Sequence, residues 1–238
     1  MVSSTAPQSG AAGGAPRSRL PRAEREQQVL DIAHARFAAD GYAAVTMDDV
    51  AAAAGVTKPL LYAYFGNKER LYLACMRRAG DAMLATVGEA IAAAESPADA
   101  LRRGLEAFFA FVDGDRDAWR VLFDESQPAG GELARAVAAY RERLLALVAE
   151  TQLALIPSAA RDRAATEVEA LSNALLGASE ALARWWLRNP GAMPAAEAAQ
   201  LLIETVEPGL RARSAAGRRG GDAVPSSPTP LPNPEGAS

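Results

Sequence analysis

The sequence predicts an all-α chain, and three observations carry that expectation. Apolar residues recur at helical spacing through the segments between residues 21 and 213. Gly and Pro punctuate those segments at short intervals, and no alternating β-branched run resembles a strand. The intervening loops are short, as helical bundles require.

From Arg22 to Asp40, the positions Val29, Ile32, Ala33 and Phe37 form one apolar stripe, and Asp40-Gly41 supplies the stop. Thr46 opens a second, short helix. Its hydroxyl is placed to cap the amide of Asp49 while the Asp49 carboxylate reaches back, a capping box one methylene shorter than the Glu form. Gly55 ends this helix after four alanines, leaving about two turns over 47–54. Thr57 is expected to cap a third helix with Lys58 and Pro59 in its first turn, where Pro is tolerated. Gly66-Asn67 breaks that helix after Phe65. Beyond Lys68, Gly and Pro delimit helical segments at 68–95, 98–113, 115–127, 131–156, 159–189 and 194–213, about nine helices in all. Pro208 lies inside the last one and should kink it or end it near Val206.

A length of 238 residues allows one large domain or two modest ones. Thirteen of residues 1–20 are Ser, Gly, Pro or Ala, and thirteen of residues 214–238 are Pro, Gly or Ser, so neither end buries enough apolar surface to offset its ordering entropy. The expected layout is a disordered tail over 1–20, a small helical head over 21–67, a helical body over 68–213 and a second disordered tail over 214–238. No internal repeat is visible.

One Cys and one His leave no Cys/His zinc site, no disulfide framework and almost no material for thiol or imidazole catalysis. Cys75 suits a reducing compartment, and His34 is expected to pack on the first helix without chemistry. No metal and no cofactor is expected. HExxH, GxSxG, Walker and EF-hand patterns are missing, so the reading of an all-α enzyme has no motif behind it. No uncharged apolar run of about 18 residues exists to span a bilayer, and the first residues lack the apolar stretch of a secretory signal. A cytoplasmic location without a membrane partner is expected.

The net charge of −4 is unevenly spread. Residues 1–70 hold eight basic and seven acidic groups, whereas the remainder holds seventeen and twenty-two. Only the front of the chain suits a polyanion, and only locally. Of 25 basic residues, 23 are Arg, and the two lysines are Lys58 and Lys68.

Two short helices joined by the tight Ala54-Gly55-Val56 turn and packed on a longer first helix make a helix-turn-helix. Val50, Ala54, Val56, Leu61 and Phe65 are placed to close a small core with Val29, Ile32 and Phe37. The opposite face of the third helix then shows Lys58, Pro59, Tyr62 and Ala63, free to read a groove.

The run Val45-Thr46-Met47-Asp48-Asp49-Val50-Ala51, followed by Ala54-Gly55-Val56-Thr57-Lys58-Pro59-Leu60-Leu61-Tyr62-Ala63-Tyr64-Phe65-Gly66-Asn67-Lys68-Glu69-Arg70-Leu71, closely resembles the DNA-binding domain of TetR-type transcriptional repressors over residues 22–72. The resemblance implies a homodimer with two such heads, a helical ligand-binding and dimerisation body, and release of double-stranded operator DNA when a small-molecule effector binds. Carried over by position, Thr46 would touch a phosphate from the start of the second helix, where amides and helix dipole favour an anion. Tyr62 and Tyr64 match the aromatics that contact the DNA backbone, and Lys68 matches a phosphate-binding lysine. Thr57, Lys58 and Pro59 occupy positions that meet base edges. Lys58 is the candidate for guanine, and Pro59 and Ala63 suit a thymine methyl. Ala63 stands where the family often carries a larger or polar residue. Arginines 17, 19, 22 and 25 are placed to supplement the contact as a minor-groove or phosphate arm.

In the body, Phe108, Phe111, Trp119, Phe123 and Trp185 fall in segments that would surround a pocket in TetR-like proteins, although aromatics at helical spacing equally suit plain core. Asp124, Glu125, Asn173 and Glu180 would orient a ligand if they face inward. Small and apolar residues, including Leu171, Ala174, Leu175, Gly177, Ala178, Ala181 and Leu182, with Leu201, Leu202 and Val206, suit a four-helix dimer interface. A rival reading remains open at this point: a sensing or adaptor dimer whose heads no longer bind DNA.

Overall fold

The computed structural model describes residues 21–123, 126, 130–154, 156 and 158–220. Among these the chain forms α1 (Arg22–Ala44), α2 (Met47–Ala54), α3 (Lys58–Phe65), α4 (Lys68–Ala92), α5 (Pro97–Gly114) and α6 (Arg116–Leu122). α7 (Gly131–Ala154), a 3₁₀ turn (Ser158–Ala160), α8 (Arg161–Arg188) and α9 (Ala195–Gly220) follow, with no strand among the described residues. The all-α expectation holds. No single described helix is long and apolar enough to cross a membrane.

Local chemistry explains most boundaries. Gly41 adopts φ 80°, ψ 162°, so the long first helix breaks there before a last turn to Ala44. The capping box forms: Thr46 Oγ1 accepts from the Asp49 amide at 3.2 Å, and the Thr46 amide donates to Asp49 Oδ2 at 2.9 Å. Gly55 ends α2 in the left-handed region at φ 61°, ψ 32°, which a residue without Cβ adopts freely. Asn67 is more than a breaker, because its side chain caps α4 by accepting from the Arg70 amide at 2.8 Å. Ser96 and Asp115 cap α5 and α6 in the same way.

Three expectations need correction. Thr57 stands at the start of α3 but makes no side-chain cap bond. Pro59 has no amide hydrogen, which removes one of the donors such a cap serves, and the hydroxyl is left exposed. In the segment expected at 115–127, the helix is Arg116–Leu122 and closes at Phe123; residues 124, 125 and 127 lie outside the described residues. Finally, α9 runs through Pro208 to Gly220 instead of ending near Val206. Pro208 and Glu204 are both exposed, so the carbonyl that proline leaves without a partner lies on the wet side of the helix. The expected tail at 214–238 therefore starts too early, because 214–220 form the last turns of α9; residues 221–238, like the expected tail at 1–20, lie outside the described residues.

A continuous core joins head to body. Val29, Phe37, Val50 and Leu61 are buried in the head with Leu71 and Tyr72 from the start of α4. Tyr72 is fully buried, donates its hydroxyl to the Val121 carbonyl at 2.6 Å, and meets Phe37 and Tyr42 edge-on at 4.8 and 4.9 Å. Val56, Ile32 and Phe65 are only partly buried against this core. Cys75 packs inside it, and burial pushes its thiol up to about 12, which keeps it protonated and unreactive.

Candidate nucleic-acid interface and body cavities

The turn between α2 and α3 is held by backbone: the Val56 amide donates to the Ala51 carbonyl at 3.0 Å. With Leu61 fully buried, α3 turns Lys58, Pro59, Tyr62 and Ala63 to solvent, and Tyr62 is 42% exposed.

The electrostatics of this face depart from the sequence reading. Lys58 Nζ lies 2.8 Å from Asp48 Oδ1, an ion pair across the turn that the spacing of ten residues gave no reason to expect. Hydrogen bonding to Asp48, then its charge, raises the lysine above its ordinary range. Asp49 is occupied differently: the Thr46 hydroxyl donates to its Oδ2 at 2.6 Å, and that bond holds the carboxyl below its usual range. Thr46 is thus exposed but serves as a cap.

Tyr64 and Lys68 are half-buried. The Arg22 guanidinium lies 5.4 Å from the Tyr64 ring centre, which fixes that arginine beside α3. Lys68 Nζ sits 4.5 Å over the Tyr42 ring and donates to the Ala43 carbonyl at 3.3 Å, and burial lowers its basicity. Arg17 and Arg19 lie outside the described residues.

None of three cavities formed by described residues gathers the five candidate pocket aromatics of the body. Phe108 lines a narrow apolar cavity of about 40 Å³ with Val87, Ile91, Leu144, Val148 and Leu175. Phe123 lines a second, of about 120 Å³, with Met83, Tyr140, Leu144 and Glu180. Trp119 and Phe123, stacked at 4.0 Å, border an open cleft of about 320 Å³ between α1, α6 and α8. Phe111 packs in the core and borders none of these three, and Trp185 is 40% exposed on the outside of α8. Leu144 is the shared wall of the first two cavities. Glu180 faces the second and is paired with Arg141, while Asn173 is exposed and donates to the Glu169 carbonyl at 3.0 Å. Asp124 and Glu125 lie outside the described residues.

The profile of the family described as "Bacterial regulatory proteins, tetR family" matches residues 29–75, spanning the turn and both short helices. That described as "Tetracyclin repressor-like, C-terminal domain" matches residues 97–207. A crystal structure of a TetR-like transcriptional regulator from Rhodococcus sp. RHA1 is 36% identical, with a TM-score of 0.66, and the match covers 84% of this chain and all of that one. The chain belongs to the TetR family.

As a TetR-family protein it is a DNA-binding transcriptional regulator, and its relatives are regulators, not enzymes. The HTH-type transcriptional activator FasR of Mycolicibacterium smegmatis is 41% identical over 114 residues, 48% of this chain and 52% of FasR. The chain thus matches only about half the length of that relative. AibR, solved in complex with isovaleryl coenzyme A and operator DNA, shares the fold at a TM-score of 0.62 but is only 19% identical, over 76% of this chain and 97% of AibR.

Proposed function

We propose that the chain is a homodimeric repressor whose 21–67 heads hold a palindromic operator and release it when a small molecule enters the 68–213 body. The outward face of α3 carries this reading: Lys58, Pro59, Tyr62 and Ala63 are exposed opposite the buried Leu61. On DNA, Lys58 would donate to guanine, Thr57 and Pro59 would meet neighbouring base edges, and Thr46, Tyr62, Tyr64 and Lys68 would hold phosphates. One head makes few contacts, so useful discrimination calls for two half-sites about 34–36 Å apart or a multiple of that.

Dimerisation has a surface available. Ala174, Ala178, Ala181 and Trp185 follow helical spacing on one exposed face of α8, and Leu201 is 49% exposed on α9. Small residues permit close helix approach, and Trp185 is better spent in that interface than in a pocket. Release follows from α4. This single helix of 25 residues, about 38 Å long, begins beside α3 and carries Met83 and Val87 on the body cavities. A ligand that displaces Leu144 and joins those cavities would shift α4, favouring a head spacing that no longer fits successive grooves. In AibR the same fold accommodates isovaleryl coenzyme A and operator DNA, which supports a body that takes an organic effector.

FasR is named an activator, so activation is the second reading. A gel shift with DNA flanking the chain's own gene, paired with a reporter on that promoter, tests both. Bound DNA with lower reporter output supports repression, and higher output supports activation. Binding to no promoter fragment would sink the DNA-reading head itself.

A further inference from the structure

The charged residues of α2 and α3 are Asp48, Asp49 and Lys58, one cation against two anions. The reading surface is therefore not attractive to a polyanion by charge alone. Thr46 occupies Asp49, whereas Asp48 holds the cation, with Lys58 Nζ 2.8 Å from Oδ1 and 3.0 Å from Oδ2. Both side chains are open to solvent, at 65% for Asp48 and 54% for Lys58. An acid beside a phosphate backbone lowers affinity on every sequence. Only a base edge that offers it a hydrogen returns the loss, and that difference is specificity.

We propose that Asp48 is a specificity-determining residue, acting with Lys58 as one donor–acceptor unit that reads a G·C base pair in the major groove. The inference rests on the proposed assignment of α3 as the reading helix. In a G·C pair the guanine O6 acceptor and the cytosine N4 donor lie side by side at hydrogen-bond distance, about 2.9 Å. The ammonium and carboxylate present a donor and an acceptor 2.8 Å apart, so the two edges match. Lys58 donates to O6 while Asp48 accepts the outer N4 hydrogen. Of the three ammonium hydrogens, one serves Asp48, one O6 and one the guanine N7. Inverting the pair to C·G sets N4 against the ammonium and O6 against the carboxylate, and both contacts become repulsive. T·A keeps the order of acceptor and donor but gives the ammonium no N7, and it turns the adenine N7 toward the carboxylate.

The test is selection of bound duplexes from randomised double-stranded DNA by the full chain and by Asp48→Asn, Asp48→Ala and Lys58→Ala, each first shown to keep wild-type helicity and melting. Wild type is expected to enrich a motif with one fixed G·C pair per half-site, favoured over C·G by roughly tenfold or more. Asp48→Asn, whose amide both donates and accepts, is expected to tolerate G·C and C·G at that position within about threefold, with other positions unchanged. Lys58→Ala is expected to lose preference at the same position. If Lys58→Ala alters a position that both Asp48 variants leave intact, or if they alter a different one, the paired reading is overturned and α3 still reads DNA. A motif that all three variants leave untouched, or no enriched motif for wild type, overturns the paired reading and the Lys58 assignment beneath it.

Discussion

A Cβ added to Gly80 would stand 2.6 Å from the Tyr140 ring. α4 and α7 therefore approach at a point where only hydrogen fits, and the Tyr140 hydroxyl locks the crossing, 2.9 Å from Asp81 Oδ1 and 3.1 Å from the Arg77 carbonyl oxygen. Burial, then the hydrogen bond to Asp81, holds the Tyr140 phenol at about 12, so it remains a donor at physiological pH.

Gly80→Ala should therefore destabilise the chain, because overpacking against a rigid ring costs about 1–3 kcal/mol and exceeds the roughly 1 kcal/mol that alanine adds to helix propensity. Urea unfolding measures the loss, and adding Tyr140→Leu should recover part of it. A single variant as stable as wild type would show that the two helices separate at no cost.

Thr46→Ala should cost about 1 kcal/mol through loss of the cap, and Thr46→Ser should restore it. The partner carboxylate gives the pH sign. The Asp49 pKa is lowered, so its contribution is present above the ordinary carboxyl range and is lost as pH falls through its folded value. The difference in melting temperature between wild type and Thr46→Ala should narrow as the medium becomes strongly acidic, leaving the part that the Thr46 hydroxyl contributes by accepting from the Asp49 amide.

His34 is buried, and neither ring nitrogen has a partner among the described residues. Burial, then the Arg78 charge, lowers its pKa below 6.5, partly offset by Asp115, Asp117 and Asp31. The unfolded chain accordingly binds the proton more readily, and stability should fall as pH drops below about 6.5. Urea midpoints between pH 7.5 and 5.5 check this, and His34→Leu should flatten that part of the curve.

Lys68→Ala should weaken binding to every duplex alike and reduce the salt slope by about one, since the ammonium would neutralise one phosphate. Titrations of specific and scrambled duplexes at several salt concentrations check it. The same change removes the contact with Tyr42, worth about 0.5–1 kcal/mol of stability, so folding is measured alongside.

The head was legible because its signals are local. Gly41, Gly55, Gly66 and the Thr46–Asp49 box each act within a few residues, and each forms in the structure. What escaped the sequence depends on distance or on water. The Asp48–Lys58 pair joins two helices across a turn, so no periodicity marks it. Pro208 fails to stop α9 because its helix face is wet, and Trp185 leaves the expected pocket because the rotation of α8 points it outward. Phe108 and Phe123 do border cavities, but which aromatic meets which space depends on how five helices stack.

The Tyr72 hydroxyl bonded to Val121, with Phe37 and Tyr42 against its ring, pins the first helix, the opening turns of α4 and the short α6 into one stiff block. The pivot for any swing of the head thus cannot sit at Asn67, where α3 hands over to α4. If the heads swing as proposed, the fulcrum would lie deeper, past the aromatic knot, with α6 part of the swinging arm, and a molecule lodged beside Trp119 would have direct leverage over where α3 points.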